Sequence, residues 1–205
     1  FDIVFAENKK NNELSNVANN IYAGAFVALN KNGITKISNC FVEGTMKTIQ
    51  ASSPNFSTAK DMCVGGFVGL FGDKEFVGLS GDKEGNKISS CVSKLNINLD
   101  YLTATKSFNK ETANEIGYVS FVGGFVGKLE KGTITNNFNF ADVTCASSKT
   151  ASVGGIVGAI NAGAITKNVM FGVVSYKGAY LSYYKNNNNN KLNYNINAIA
   201  GDIGA

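Results

Sequence analysis

The chain has no histidine, no arginine and no tryptophan, and one proline, Pro54, in 205 residues. Without histidine there is no usual general base, no usual zinc ligand and no Ser/His or Cys/His nucleophile pair. Without arginine there is no bidentate clamp for carboxylate or phosphate. Carbohydrate-cleaving chemistry would have to rest on Asp/Glu pairs and lysine, yet the 15 acidic residues do not recur at one repeat position. These gaps predict a protein without catalytic residues, without a metal site and without a cofactor. The net charge of +4 comes from lysines scattered singly, with no basic cluster interleaved with aromatics. That pattern speaks against nucleic acid as a partner. No apolar run has the length of a membrane span, so membrane insertion is not expected, and no signal peptide is visible at Phe1.

What is abundant is glycine, 23 residues of it, and it is placed periodically. A glycine-flanked apolar triplet occurs as Gly24-Ala25-Phe26-Val27-Ala28, Gly65-Gly66-Phe67-Val68-Gly69, Gly123-Gly124-Phe125-Val126-Gly127 and Gly154-Gly155-Ile156-Val157-Gly158. Each copy is followed by a turn and by a second common run. These runs are Ile37-Ser38-Asn39-Cys40-Phe41, Ile88-Ser89-Ser90-Cys91-Val92, Ile134-Thr135-Asn136-Asn137-Phe138 and Ile165-Thr166-Lys167-Asn168-Val169. An apolar residue then recurs at one offset: Met46, Ile97, Val143 and Val174. A fifth copy starts at Ile196 and stops before its second half, and Phe1 to Phe5 reads as the tail of an earlier unit. The chain therefore reads as cut from a longer array or continued by a further segment. A unit of roughly 30 residues with variable insertions is the mark of a solenoid.

These motifs resemble the GLUG-motif repeat, whose units run Gly-Gly-Leu-Val-Gly, then Gly, then Ile-x-Asn-Cys-Tyr. Phe or Ile stands for Leu here, and Asn137 and Asn168 stand for Cys. The resemblance implies a right-handed parallel β-solenoid (β-helix). It also implies adhesins, non-catalytic regions of secreted peptidases and protist surface proteins, with no active site in the repeats.

Physics leads to the same fold class. Short β-rich runs lie between Gly and Asn punctuation, and scarce proline suits unbroken backbone ladders. One unit cannot bury enough apolar surface alone, so stability must come from stacking. The expectation is an all-β, right-handed parallel β-solenoid of about four to five coils. The Gly-Phe-Val-Gly segments should form one continuous sheet, with Phe26, Phe67, Phe125 and Ile156 in one column. Residues 1–21 form the end of a preceding coil or an N-terminal cap, with a short helix as the best reading of 13–21. Residues 22–205 hold the repeats, divided as 22–62, 63–117, 118–152, 153–195 and a partial 196–205.

Cys40 and Cys91 share an offset and should stack one coil apart with Asn137 and Asn168, mostly buried and as thiols. Parallel in-register strands seldom orient Cβ atoms for a disulfide. Cys63 and Cys145 share no offset with each other, and no Cys-x-x-Cys pair suggests zinc. Gly72-Asp73-Lys74-Glu75 recurs as Gly81-Asp82-Lys83-Glu84, but a lysine beside each aspartate does not suit calcium, and a solvated loop is the reading.

Insertions follow the second half of each unit, at 47–62, 98–117, 146–152 and 175–195. Equivalent offsets place them along one edge of a solenoid. They carry aromatics among Ser, Thr, Asn and Lys, a composition of adaptable binding surfaces. The candidate binding residues are Tyr176, Tyr180, Tyr183, Tyr184, Tyr101 and Phe108. The asparagine run at 186–190 reads as a loop tip. The expected function is a non-catalytic adhesion or binding module, extracellular or on the cell surface, meeting a protein or glycan ligand. The alternative is an intracellular structural segment that assembles with neighbouring repeats or copies of itself.

Overall fold

A computed structural model describes residues 2–5, 21–30, 34–48, 61–72, 85–100, 119–146, 150–176, 194–197 and 199–203. All the described regular structure is β, and every described strand pairing is parallel. The first unit supplies β2 (Ile21–Gly24), β3 (Val27–Asn30), β4 (Lys36–Ser38) and β5 (Phe41–Thr48), after a lone β1 (Asp2–Phe5). The second supplies β6 (Asp61–Gly65), β7 (Val68–Phe71), β8 (Lys87–Ser89) and β9 (Val92–Asp100). The third gives β10 (Val119–Gly123), β11 (Val126–Leu129), β12 (Thr133–Thr135), β13 (Phe138–Asn139) and β14 (Val143–Ala146). The fourth gives β15 (Thr150–Gly154), β16 (Val157–Ile160), β17 (Ala164–Thr166), β18 (Val169–Met170) and β19 (Val174–Tyr176). Finally come β20 (Tyr194–Asn197) and β21 (Ala200–Ile203).

Among the described residues, strands do not pair with a neighbour from their own unit. They pair with the equivalent strand of the next unit, which sorts them into four stacked sheets. The first sheet runs β2-β6-β10-β15-β20, the second β3-β7-β11-β16-β21 and the third β4-β8-β12-β17. The fourth runs β1-β5-β9-β13-β18, with β14 and β19 continuing it. In-register pairing follows the sequence repeats: Ile37, Ile88, Ile134 and Ile165 are successive partners, as are Met46, Ile97, Val143 and Val174. This arrangement is compatible with a β-solenoid. Residues 13–20 lie outside the described set, and Ile21 opens β2.

The aromatic column expected from the repeats is present. Phe26 stacks on Phe67 with ring centroids 4.9 Å apart, and Phe67 stacks on Phe125 at 4.7 Å. The Phe125 N–H donates to the Ile156 carbonyl at 2.9 Å, which continues the register. Phe67, Phe125 and Ile156 are fully buried.

One expectation needs correction. The Gly-Gly-Phe-Val-Gly segment does not lie in a single sheet: Gly65 ends β6 in the first sheet and Val68 begins β7 in the second, so the phenylalanine sits at the bend between them. The glycines permit that bend because the two sheets touch backbone to backbone. A Cβ at Gly127 would lie 2.5 Å from the Val64 nitrogen and 2.6 Å from the Gly69 oxygen.

Buried positions on β9 alternate strictly. Ser93, Leu95, Ile97 and Leu99 of β9 are buried, while Lys94, Asn96 and Asn98 are exposed. Leu95, Ile97 and Leu99 join Phe67, Phe71, Phe125, Leu129 and Ile134 in one hydrophobic core. Burying such side chains contributes about 1.5–3 kcal/mol each.

Gly127→Ala should destabilise the fold by about 1–3 kcal/mol, because neither neighbouring backbone can yield without moving a ladder. Gly85→Ala, where an added Cβ meets nothing within 4 Å, should stay within about 0.5 kcal/mol of the parent. Urea unfolding midpoints at unchanged m-value would check both; equal losses would mean that the close approach of the sheets does not matter.

Candidate contact surface

Between the third and fourth sheets each unit turns a corner through one residue in the left-handed region. These residues are Asn39 (φ 54°), Ser90 (φ 55°), Asn136 (φ 57°) and Lys167 (φ 54°), none of them glycine. The next residue in each unit is Cys40, Cys91, Asn137 or Asn168. Its amide leaves the ordinary ladder, and the equivalent side chain of the following unit supplies the acceptor. The Cys40 N–H donates to Cys91 Sγ at 3.4 Å, the Cys91 N–H to Asn137 Oδ1 at 2.9 Å and the Asn137 N–H to Asn168 Oδ1 at 3.0 Å. Below the amides, Asn137 Nδ2 donates to the Ile88 carbonyl (3.2 Å) and to Asn168 Oδ1 (2.9 Å), and Asn168 Nδ2 to the Ile134 carbonyl (2.7 Å). Cys91 and Asn137 are fully buried, Cys40 and Asn168 half-buried, and all four cysteines are free thiols. Cys63 lies in β6 and Cys145 in β14, both buried.

Beyond that corner the outer face of the fourth sheet forms a grid. Successive partners Phe41, Val92, Phe138 and Val169 make its first column. Two residues on, the second column holds Glu43, Lys94, Phe140 and Phe171; Glu43 and Lys94 are register partners, and the Phe171 N–H donates to the Asn139 carbonyl. The third holds Thr45, Asn96, Asp142 and Val173. There the Asp142 N–H donates to Asn96 Oδ1 at 3.0 Å and the Val173 N–H to Asp142 Oδ1 at 2.7 Å. Phe140 and Phe171 stack at 4.6 Å with planes 3° apart, and Phe138 lies 6.5 Å from Phe140. Phe171 is 60% exposed, Val173 63%, Phe41 53% and Phe140 47%. Lys94 Nζ sits 5.9 Å over the Phe41 ring. The second column of this face is therefore charged in units one and two and aromatic in units three and four, with the Asp142 carboxylate beside it in the third column.

In units two and three the inward position between the first two columns is polar, Ser93 and Asn139, where Val42 and Met170 stand in units one and four. Asn139 is fully buried, and its Nδ2 donates to the Gly155 carbonyl at 2.7 Å while its Oδ1 accepts the Ala141 N–H at 3.0 Å. Its amide ties the fourth sheet to the bend between the first and second. Sequence reasoning missed the exposed face for this reason. The one available signal was Phe-x-Phe at 138 and 140 with Phe171 one unit on from Phe140.

Of the tyrosines and phenylalanine proposed from sequence, only Tyr176 is among the described residues. It is the last residue of β19 rather than part of an insertion, pairs with Cys145 and packs half-buried against the core. Tyr101, Phe108, Tyr180, Tyr183 and Tyr184 lie outside the described residues, as do the two Gly-Asp-Lys-Glu copies beyond Gly72. The chain between the fourth sheet and the first runs through 49–60, 101–118, 147–149 and 177–193, so all four connections start and finish at one corner of the stack.

The chemistry of the described surface is modest. Lys128 Nζ lies 2.8 Å from Glu130 Oε1, and Asn161 Nδ2 donates to Glu130 Oε2. Among the described residues no three His, Cys, Asp or Glu side chains are grouped to hold a metal ion, and no helix is long and apolar enough to cross a membrane. No protein family model, curated protein or solved structure matches the chain.

Burial pushes the Cys145 thiol up from 9.0 to about 12, and burial also raises Cys91. A raised thiol pKa means that the native state holds its proton more tightly than the unfolded state. Stability from Cys145 is therefore complete below about pH 9 and falls as pH climbs towards about 12. At pH 8 an alkylating reagent should label Cys40 first and leave Cys63 and Cys145 unlabelled until denaturant is added; rapid native labelling of Cys145, read by peptide mass, would refute its burial.

The corner ladder makes a second demand. Asn137→Ala orphans the Cys91 amide and should cost about 1–3 kcal/mol for that buried group alone. Cys91→Asn, which replaces a weak sulfur acceptor with an amide oxygen, should be more stable than Cys91→Ala. Thermal melts of the three variants give the ranking, and an Asn137→Ala melt equal to the parent would show that the ladder carries nothing.

Proposed function

We propose that this chain is a non-catalytic binding module, a right-handed parallel β-solenoid of about four to five coils with GLUG-like repeats, acting outside the cell or at its surface. The observation that carries the reading is topological: every connection from the fourth sheet to the first leaves from the same corner. A solenoid places such segments side by side along one edge, and rigid scaffolds with variable loops on one edge are built for contact. The tyrosine-rich composition of 101–118 and 177–193 suits a protein or glycan ligand. The missing histidine and arginine favour contact over catalysis.

A second reading is a structural segment that assembles laterally, inside or outside the cell. The exposed apolar face of the fourth sheet favours it, since contiguous apolar surface of this kind marks interaction sites.

Deleting residues 177–191 separates the two. Loop length in a surface connection costs little stability, so the shortened chain should keep its parent melting temperature. Under the first reading it loses retention on a glycan array or on intact cells. Unchanged retention places the contact elsewhere, and an unfolded deletion variant makes the segment a packing element.

A further inference from the structure

We propose that Lys128 and Asn161 form an intramolecular amide cross-link between units three and four, with Glu130 as the group that moves the protons. Glu130 holds the two reactants on the two oxygens of one carboxylate: Lys128 Nζ lies 2.8 Å from Oε1, and Asn161 Nδ2 donates to Oε2. Register explains how the three meet. Lys128 is the strand partner of Ala159, and Glu130 and Asn161 stand two residues further along the two adjacent chains, where the Asn161 N–H donates to the Leu129 carbonyl at 2.8 Å. Alternation along a strand puts positions two apart on one side, so amine, carboxylate and carboxamide share a face. Lys128 and Asn161 are diagonal neighbours, about 7–8 Å apart at Cα, a span that a long side chain covers. The site also holds little water. The Lys128 and Glu130 side chains are 17% and 8% exposed, and Phe121 of β10 lies over the amine, its ring centre 5.0 Å from Nζ. The solenoid itself does not require a lysine here. Leu29, Leu70 and Ala159 hold the Lys128 position in units one, two and four. A buried ion pair is weak as a stabilising device, because desolvation offsets its attraction, so the set points to a use other than packing.

The reaction balances without an oxidant, a metal or a second substrate. Glu130 Oε1 takes one proton from the Lys128 ammonium, and the freed Nζ lone pair attacks Asn161 Cγ. Glu130 then hands its proton to Nδ2 and takes the second proton from Nζ. The Cγ–Nδ2 bond breaks as the carbonyl re-forms, and Nδ2 leaves as ammonia. The proton left on Glu130 departs with it as ammonium, which returns the carboxylate. One amide replaces another, so nothing is oxidised or reduced. The product ties β11 to the chain just beyond β16.

The test is the intact mass of the full chain, incubated folded and then read under denaturing conditions. The parent should be lighter than its sequence requires by one ammonia. Trypsin should fail to cut after Lys128, and peptide 111–131 should be recovered joined to 150–167. Glu130→Gln keeps the shape but cannot take the proton of the amine; it should retain its full sequence mass with an unchanged circular dichroism spectrum. Lys128→Leu, which installs the residue of units one and two, should fold and also retain its full mass. A parent of full sequence mass overturns the proposal and leaves the cluster an ion pair with a polar neighbour. Ammonia loss that maps to a single unlinked peptide overturns it as well, since an asparagine has then cyclised on its own backbone. A joined pair of peptides that persists in Glu130→Gln overturns the part given to Glu130. None of these readouts involves a binding partner, so the cross-link and the binding reading above fail separately.

Discussion

The structure depends on how each corner amide finds an acceptor. A straight parallel ladder satisfies its own N–H and C=O groups, but a corner breaks the pattern, and a buried unpaired amide costs about as much as a lost hydrogen bond. Here the solution is delegated to the following unit. The left-handed residue at each corner turns the next amide inward, and the side chain one unit on accepts it: Cys91 for Cys40, Asn137 for Cys91, Asn168 for Asn137. Asparagine does this best because its second arm donates back to a carbonyl of the unit before it. A unit's corner is thus incomplete until its successor is in place. Register follows from the same fact, since a slip by one residue would remove the acceptor from every corner at once.

The bend between the first and second sheets is solved differently. There glycine lets two backbones touch, and the stacked Phe67 and Phe125 rings are buried in the core, with Phe26 exposed at the end of the column. Asn139 links the two solutions, holding the Gly155 carbonyl with one arm and the Ala141 amide with the other. The cost is that a core position on the fourth sheet is spent on a polar side chain. Ser93, its register partner, is also buried and accepts the Leu95 N–H through Oγ at 3.4 Å. The polar pair is a fixture of the fold, shared by consecutive units.

Much of this was legible in the residues. Four aligned copies predict equivalent partners, and Ile37, Ile88, Ile134 and Ile165 are partners as the alignment implies. The shared offset of Cys40, Cys91, Asn137 and Asn168 predicts one column, and it exists. Three features were not legible. The division of Gly-Gly-Phe-Val-Gly between two sheets leaves no periodic trace, because the distance between facing backbones is not written in hydropathy. Tyr176 reads as part of the 175–195 insertion by offset, but pairing with Cys145 draws it into β19. The apolar outer face was hidden for a subtler reason. A run such as Phe138-Asn139-Phe140 is ordinarily read with its phenylalanines inward, and the register shared by all four units reverses it, since Val42 and Met170 hold the inward position of Asn139 in units one and four with Phe41 and Phe171 outside.

That reversal bears on function. Once Asn139 and Ser93 must point inward, the fold places no requirement on what points outward. Lysine, threonine or asparagine would serve the strands as well and would keep the surface soluble, as Asn96, Asn98 and Thr144 do in the neighbouring columns. Phenylalanine at 138, 140 and 171 and valine at 169 and 173 gain little from an isolated chain beyond the stacking of one ring on the next, which is worth about 0.5–1.5 kcal/mol. Against that stands the hazard of an exposed apolar β-surface. The same scaffold shows the guarded alternative two units away, where Glu43 and Lys94 hold the column that Phe140 and Phe171 continue. The face thus changes from charged to aromatic along a single column while its backbone geometry stays unchanged, so the change is written in the side chains alone.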